Sequence, residues 1–111
     1  PTHGGAIVAA VLSNAELRKM WEDELGGMRE RIRAMRTSLV EKLKARGVAQ
    51  DFSFVAKQRG MFSYTGLTAA QVERLKTEYG IYAVGTGRIC LAALNSRNLD
   101  YVAEAIATVI R

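Results

Sequence analysis

An α/β chain of the α+β kind is predicted, with one long helix and several shorter ones covering a small mixed or antiparallel sheet. Three observations carry this reading. Leu17, Trp21, Leu25, Met28, Ile32, Met35, Leu39 and Leu43 recur in steps of three and four, which keeps them on one stripe of a helix. Four short runs, Asp51–Val55, Met61–Tyr64, Tyr82–Val84 and Ile89–Leu94, either alternate or are apolar and bounded by turn residues, as strands are. With 111 residues, 49% of them hydrophobic, the chain can bury one modest core but not two.

Taken in order, residues 1–12 read as a connecting segment and short helix, 13–47 as the long helix, and 48–111 as the remainder of one domain. Pro1 to Gly5 is punctuation, and Ala6 to Leu12 is small and branched enough for two helical turns. Ser13 and Glu16 have the spacing of a capping box, so a helix is expected to start there. It would run to Arg46 with Gly47 as its C-cap, about 48 Å at 1.5 Å per residue. That is longer than so small a domain, so part of the stripe is expected to lie beyond this chain's own core. Gly26-Gly27 marks a bend or a close crossing. After the first two strands, Thr68 to Gln71 forms a second capping box, with Val72, Leu75 and Tyr79 at helical spacing and Gly80 as the stop. Asn95 to Asn98 opens the last helix, whose apolar face is Leu99, Val102, Ala103, Ile106, Val109 and Ile110.

Several kinds of chemistry are poorly supplied. Cys90 is the one cysteine and His3 the one histidine, so neither a disulfide framework nor a Cys/His metal site is available. Cys90 reads as an inert buried thiol, and His3 as a cap or an exposed ring. Ala6–Leu12 is far too short to span a membrane and lacks a secretory flank, so a cytoplasmic setting is expected. A chain that opens on Pro1 rather than methionine is expected to be a piece of a longer protein. Gly85-Thr-Gly87 is half of a phosphate-loop pattern without the lysine that should follow. The lysines at 19, 42, 44, 57 and 76 sit in polar contexts unsuited to a Schiff base.

A net charge of +5 favours anionic partners in general. The long helix carries Arg29, Arg31, Arg33, Arg36, Lys42, Lys44 and Arg46, but acids are interleaved, which describes a solvated helix surface better than a nucleic-acid face. Arg88 is the most informative cation. It lies between two apolar runs, directly after the glycine loop, and either pairs with a carboxylate of its own chain, ends the loop as a solvated cation, or waits for an anionic ligand.

Arg59-Gly-Met-Phe-Ser-Tyr-Thr-Gly-Leu67, Glu78-Tyr-Gly-Ile-Tyr-Ala-Val84 and Gly87-Arg-Ile-Cys-Leu-Ala-Ala-Leu-Asn95 resemble the C-terminal part of a fold-type I aminotransferase. The branch is that of the aspartate and aromatic amino acid enzymes, and the likeness extends over essentially the whole chain. It looks most like the bacterial aromatic (tyrosine) aminotransferases, because aspartate enzymes tend to carry asparagine where Cys90 stands. Two departures, Gly85-Thr-Gly87 for Ala-Ser-Gly and Ala93 for glycine, exchange small residues for small ones.

The resemblance implies a homodimer that uses pyridoxal 5′-phosphate, with residues 13–47 as the interdomain helix and the rest as the small C-terminal domain. It implies transfer of the amino group of tyrosine, phenylalanine or aspartate to 2-oxoglutarate. It further implies that Arg88 binds the substrate α-carboxylate and that Phe62 lines the same pocket. The cofactor's lysine is not in this chain, so no catalytic, cofactor-binding or metal-binding residue is expected here and the fragment alone should be inactive. Nucleic acid and membrane are not expected partners. The alternatives are the small domain of an aspartate aminotransferase, or a non-enzymatic basic module for binding or dimerisation.

Overall fold

In the computed structural model, which describes residues 1–111, the long helix is capped by Asn14 rather than Ser13. The Asn14 side-chain oxygen accepts from the amides of Glu16 and Leu17, both at 3.0 Å, while the Ser13 hydroxyl donates back to the Ala9 carbonyl. Ser13 is thus the last residue of a helix already under way. That helix, α1, spans Thr2–Ser13 and takes in Gly4-Gly5, where the sequence predicts punctuation. The second helix, α2, spans Ala15–Ala45 and is unbroken at Gly26-Gly27.

The chain divides into two compact units, Pro1–Arg31 and Ile32–Arg111. In the first, no residue is buried, and Leu17, Met20, Trp21, Leu25 and Met28 are exposed along the apolar stripe. The expectation that this half of the stripe lies outside the chain's own core is met. Its charges pair along the helix, Arg18 with Glu22 and Lys19 with Asp23, at the spacing of one helical turn.

In the second unit the stripe turns inward, and Leu39 and Leu43 are fully buried. The helix stops as expected at Gly47, whose φ of 72° is open to glycine at little cost. The Gly47 amide donates to Lys44 and the Val48 amide to Leu43, which satisfies the last carbonyls of the helix. Lys42 and Arg46 then pair with Asp100 and Glu104 of the last helix, and Arg36 is buried. Three cations of the supposed basic surface are therefore occupied within the fold.

Asp51–Val55 is not a strand. Ser53–Lys57 forms a short helix, α3. The Asp51 carboxylate accepts from the Ser53 amide at 2.8 Å and from its hydroxyl at 2.9 Å, a local bond that turns the chain before any partner strand is met. The Phe52 and Phe54 rings still share a side, 6.0 Å apart and stacked. The strands that do form are β1, Phe62–Tyr64, and β2, Arg88–Cys90, antiparallel with Phe62 opposite Cys90, Ser63 opposite Ile89 and Tyr64 opposite Arg88.

Between them α4, Ala69–Tyr79, is opened by the expected capping box: the Thr68 hydroxyl accepts from the Gln71 amide and the Gln71 side chain accepts from the Thr68 amide. Gly80 ends it in the left-handed conformation. Tyr82–Val84, read as a strand, is irregular, with Tyr82 81% exposed. Only the Val84 amide, which donates to the Arg88 carbonyl at 3.0 Å, ties it to β2. The run Ile89–Leu94 is likewise cut short, because a tight turn at Leu91–Ala93 follows β2. The last helix, α5, spans Leu99–Ile110 and buries Leu99, Ala103, Ile106 and Val109 on its predicted face. These residues join Leu39, Leu43, Val55, Leu75 and Leu91 in one core.

Candidate functional site

Residues that face each other across an antiparallel pair share a side of the sheet, and neighbours along a strand do not. Phe62, Tyr64, Arg88 and Cys90 therefore lie on one face, and Ser63 and Ile89 on the other. Ser63 is buried, whereas Phe62, Tyr64 and Arg88 are exposed. The two residues singled out from the sequence meet diagonally across this face: the Arg88 guanidinium carbon is 5.1 Å from the centre of the Phe62 ring. At that distance the ring's electron-rich face attracts the cation and shields one side of it from water.

Arg88 forms no ion pair with a carboxylate of the chain. Of the roles the sequence left open, the internal ion pair is absent, and a solvated loop end or a ligand for an anion both fit an exposed side chain. What remains is a planar donor fork, held at the end of a strand with its polar edge free, a geometry matched to a carboxylate.

The glycine loop sets where the fork sits. Gly87 has φ 88°, its amide donates to the Val84 carbonyl at 2.8 Å, and its carbonyl accepts from the Thr65 amide at 2.9 Å and the Thr65 hydroxyl at 2.6 Å. A side chain at 87 would meet the Leu67 carbonyl oxygen at 2.9 Å. Within Gly85-Thr-Gly87 it is therefore Gly87 that makes a close backbone approach, against the chain's own loop. At Gly85 a side chain would meet nothing within 4 Å.

One residue of this region escaped the sequence reading. Arg36, only 3% exposed, reaches from α2 beneath the sheet. Its Nη1 donates to the Val55 carbonyl at 3.1 Å and to the Ser63 hydroxyl, and its Nη2 to the carbonyls of Gly60 at 2.5 Å and Phe62 at 2.9 Å. Burial lowers its pKa from the usual guanidinium value. The signal was present: Ile32, Arg36, Leu39 and Leu43 step by four, three and four, so Arg36 lies beside Met35 on the same stripe that enters the core.

The other residues weighed from the sequence stand apart from this chemistry. His3 is exposed in the first turn of α1. Cys90 is a free, half-buried thiol rather than a fully buried one. Lys19, Lys42 and Lys76 pair with Asp23, Asp100 and Glu73, while Lys44 and Lys57 are exposed. No three His, Cys, Asp or Glu side chains gather as a metal site. No helix is long and apolar enough to cross a membrane.

Comparison with known proteins supplies the context for this face. Residues 1–106 match the family model described as aminotransferase class I and II. An aspartate aminotransferase of Pseudomonas aeruginosa is 64% identical over 99% of the chain, and an aromatic-amino-acid aminotransferase of the same organism is 50% identical over 98%. The chain spans 28% of the length of each of these relatives. Among solved structures, an aromatic-amino-acid aminotransferase from Burkholderia pseudomallei, covalently bound to pyridoxal phosphate, superposes with a TM-score of 0.98 at 70% identity. That superposition covers 100% of this chain and 28% of the other. With the family match running over residues 1–106 and relatives at these identities, the chain belongs to the class I and II aminotransferases.

Proposed function

We propose that these 111 residues are the small-domain part of a pyridoxal-phosphate aminotransferase that moves the amino group of tyrosine, phenylalanine or aspartate to 2-oxoglutarate. Arg88 binds the substrate α-carboxylate and Phe62 forms a wall of the same pocket. The observation that carries this reading is the exposed Arg88 fork, stacked on Phe62 at 5.1 Å and without an internal acid. A carboxylate held by two parallel N–H donors has its plane fixed, which leaves the bonds at Cα in one orientation. Residues 1–12 serve as the connecting segment, 13–47 as the stretch that contains the interdomain helix α2 and 48–111 as the rest of the small domain, in a cytoplasmic homodimer.

The cofactor's covalent anchor does not fit any lysine of this chain, because all five are exposed or paired with acids. This chain's own part is to bind and orient the substrate, and the 111 residues alone should not transaminate. The aspartate reading keeps a place, because the 64% identical relative is an aspartate aminotransferase. The ratio of kcat/KM for tyrosine to that for aspartate in the full-length protein decides between them.

The experiment is Arg88→Leu in the full-length protein, with Arg88→Lys beside it. Truncating one partner of a hydrogen-bonded charge pair costs about 2–5 kcal/mol, so kcat/KM should fall by about 30- to several thousand-fold. Lysine keeps the charge and loses the fork, and should recover only part of the loss. An unchanged kcat/KM in Arg88→Leu refutes the role.

A further inference from the structure

A buried guanidinium usually faces a carboxylate, and Arg36 does not. Its hydrogen bonds run to three main-chain carbonyls and one hydroxyl, those of Val55, Gly60, Phe62 and Ser63. Three of these acceptors belong to the four residues 60–63, which lead into and form the start of β1. The carbonyl of Phe62 is one of them, so the guanidinium grips the main chain of the residue whose ring supports Arg88. From the opposite side of the sheet, Ser63 offers its hydroxyl to the same cation. The segment has a glycine at φ 86° at position 60 and is tied on one side to β2, through the strand pairing and the Met61 carbonyl, which accepts from the amides of Leu91 and Ala92. Arg36 adds three bonds to it and a fourth to Val55.

We propose that Arg36 is a positioning residue for carboxylate recognition: by fixing the main chain of Gly60–Ser63 it sets the Phe62 ring, and through that ring the orientation of the Arg88 fork. This rests on the reading of Arg88 given above. Lysine at position 36 would keep the charge, but a single ammonium cannot bridge four acceptors in a fork geometry.

The test uses the full-length protein and 3-phenylpropanoate, a carboxylate probe without an amine, with binding followed by calorimetry. Arg36→Lys should raise the probe's Kd and the amino acid KM by about tenfold while kcat changes far less, as displacement of a binding group does. On an Arg88→Leu background the same substitution should change the Kd by only about twofold, because the fork is gone and only the Phe62 wall is left to be displaced. Equal weakening in both backgrounds overturns the proposal, since a general structural role would give that result. If Arg36→Lys does not fold, Ser63→Ala removes one acceptor and leaves the cation in place. It should raise the Kd about threefold, as the loss of one hydrogen bond would, and an unchanged Kd again overturns the proposal. Arg88→Leu alone separates the two readings. If it leaves the probe's Kd unchanged, carboxylate binding by Arg88 fails and the positioning role fails with it. If it weakens the probe while Arg36→Lys does not, only the positioning role falls.

Discussion

Gly87→Ala, set against Gly85→Ala, tests whether the loop before Arg88 is built on backbone conformation or merely on small residues. At position 87 the φ of 88° is left-handed, which costs alanine about 1–2 kcal/mol. The new Cβ would also stand 2.9 Å from the Leu67 carbonyl oxygen and 3.3 Å from both the Leu67 amide nitrogen and the Thr65 Oγ1. None of these can swing aside easily. Two are backbone atoms, and the Thr65 hydroxyl is held between the Gly87 carbonyl and the Leu67 amide. Such overpacking adds about 1–3 kcal/mol, for a total of about 2–5 kcal/mol.

At position 85 there is no left-handed strain and a Cβ meets nothing within 4 Å, so alanine should be neutral or stabilising by about 0.5 kcal/mol through the unfolded chain. Urea unfolding of the two variants and the parent gives the difference directly. Transamination by the full-length protein gives a second reading, because any relaxation at 87 displaces Arg88, and kcat/KM should fall with Gly87→Ala only. The reasoning is refuted if Gly87→Ala costs less than about 1 kcal/mol, or if Gly85→Ala costs as much.

Other expectations follow from the core, the caps and the charges. Leu75 is fully buried between the helices and the sheet, and Leu75→Ala should lower stability by roughly 3 kcal/mol in denaturant titration, more than any exposed leucine of α2. Thr68→Ala removes the hydroxyl that caps α4 and should cost about 1 kcal/mol, with Thr68→Ser restoring most of it. The hydrogen bond from Lys42 and its charge, together with Arg46, hold Asp100 below the usual carboxylate pKa of 3.8. A depressed pKa means that the stabilisation is whole above that value and is lost as pH falls through the lowered one. The stability difference between the parent and Asp100→Asn should therefore be present at neutral pH and vanish in strong acid. A difference that grew on acidification would contradict the pairing.

Elements governed by bonds between near neighbours were legible from the sequence. The Thr68 and Gln71 box, the Gly80 and Gly47 stops and the apolar face of α5 each depend on residues within a turn or two of one another. Motif likeness carried Arg88 and Phe62, and the fold brings the two into contact. Tyr82–Val84 and Asp51–Val55 were misread because a strand exists only where a neighbour offers its backbone. The first meets β2 through a single bond at Val84, and a local carboxylate bond turns the second into a helix. Ser13 and Asn14 compete for the same cap, and only the geometry shows which oxygen faces the free amides.

Tertiary structure alone decided the two arginines. Arg36 owes its burial to acceptors 19 to 27 residues away, and Arg88 owes its freedom to the absence of any acid brought near it. Periodicity records which side of a helix or strand a residue occupies. Whether a charge on that side finds a partner depends on segments distant in sequence, and only the folded chain places them.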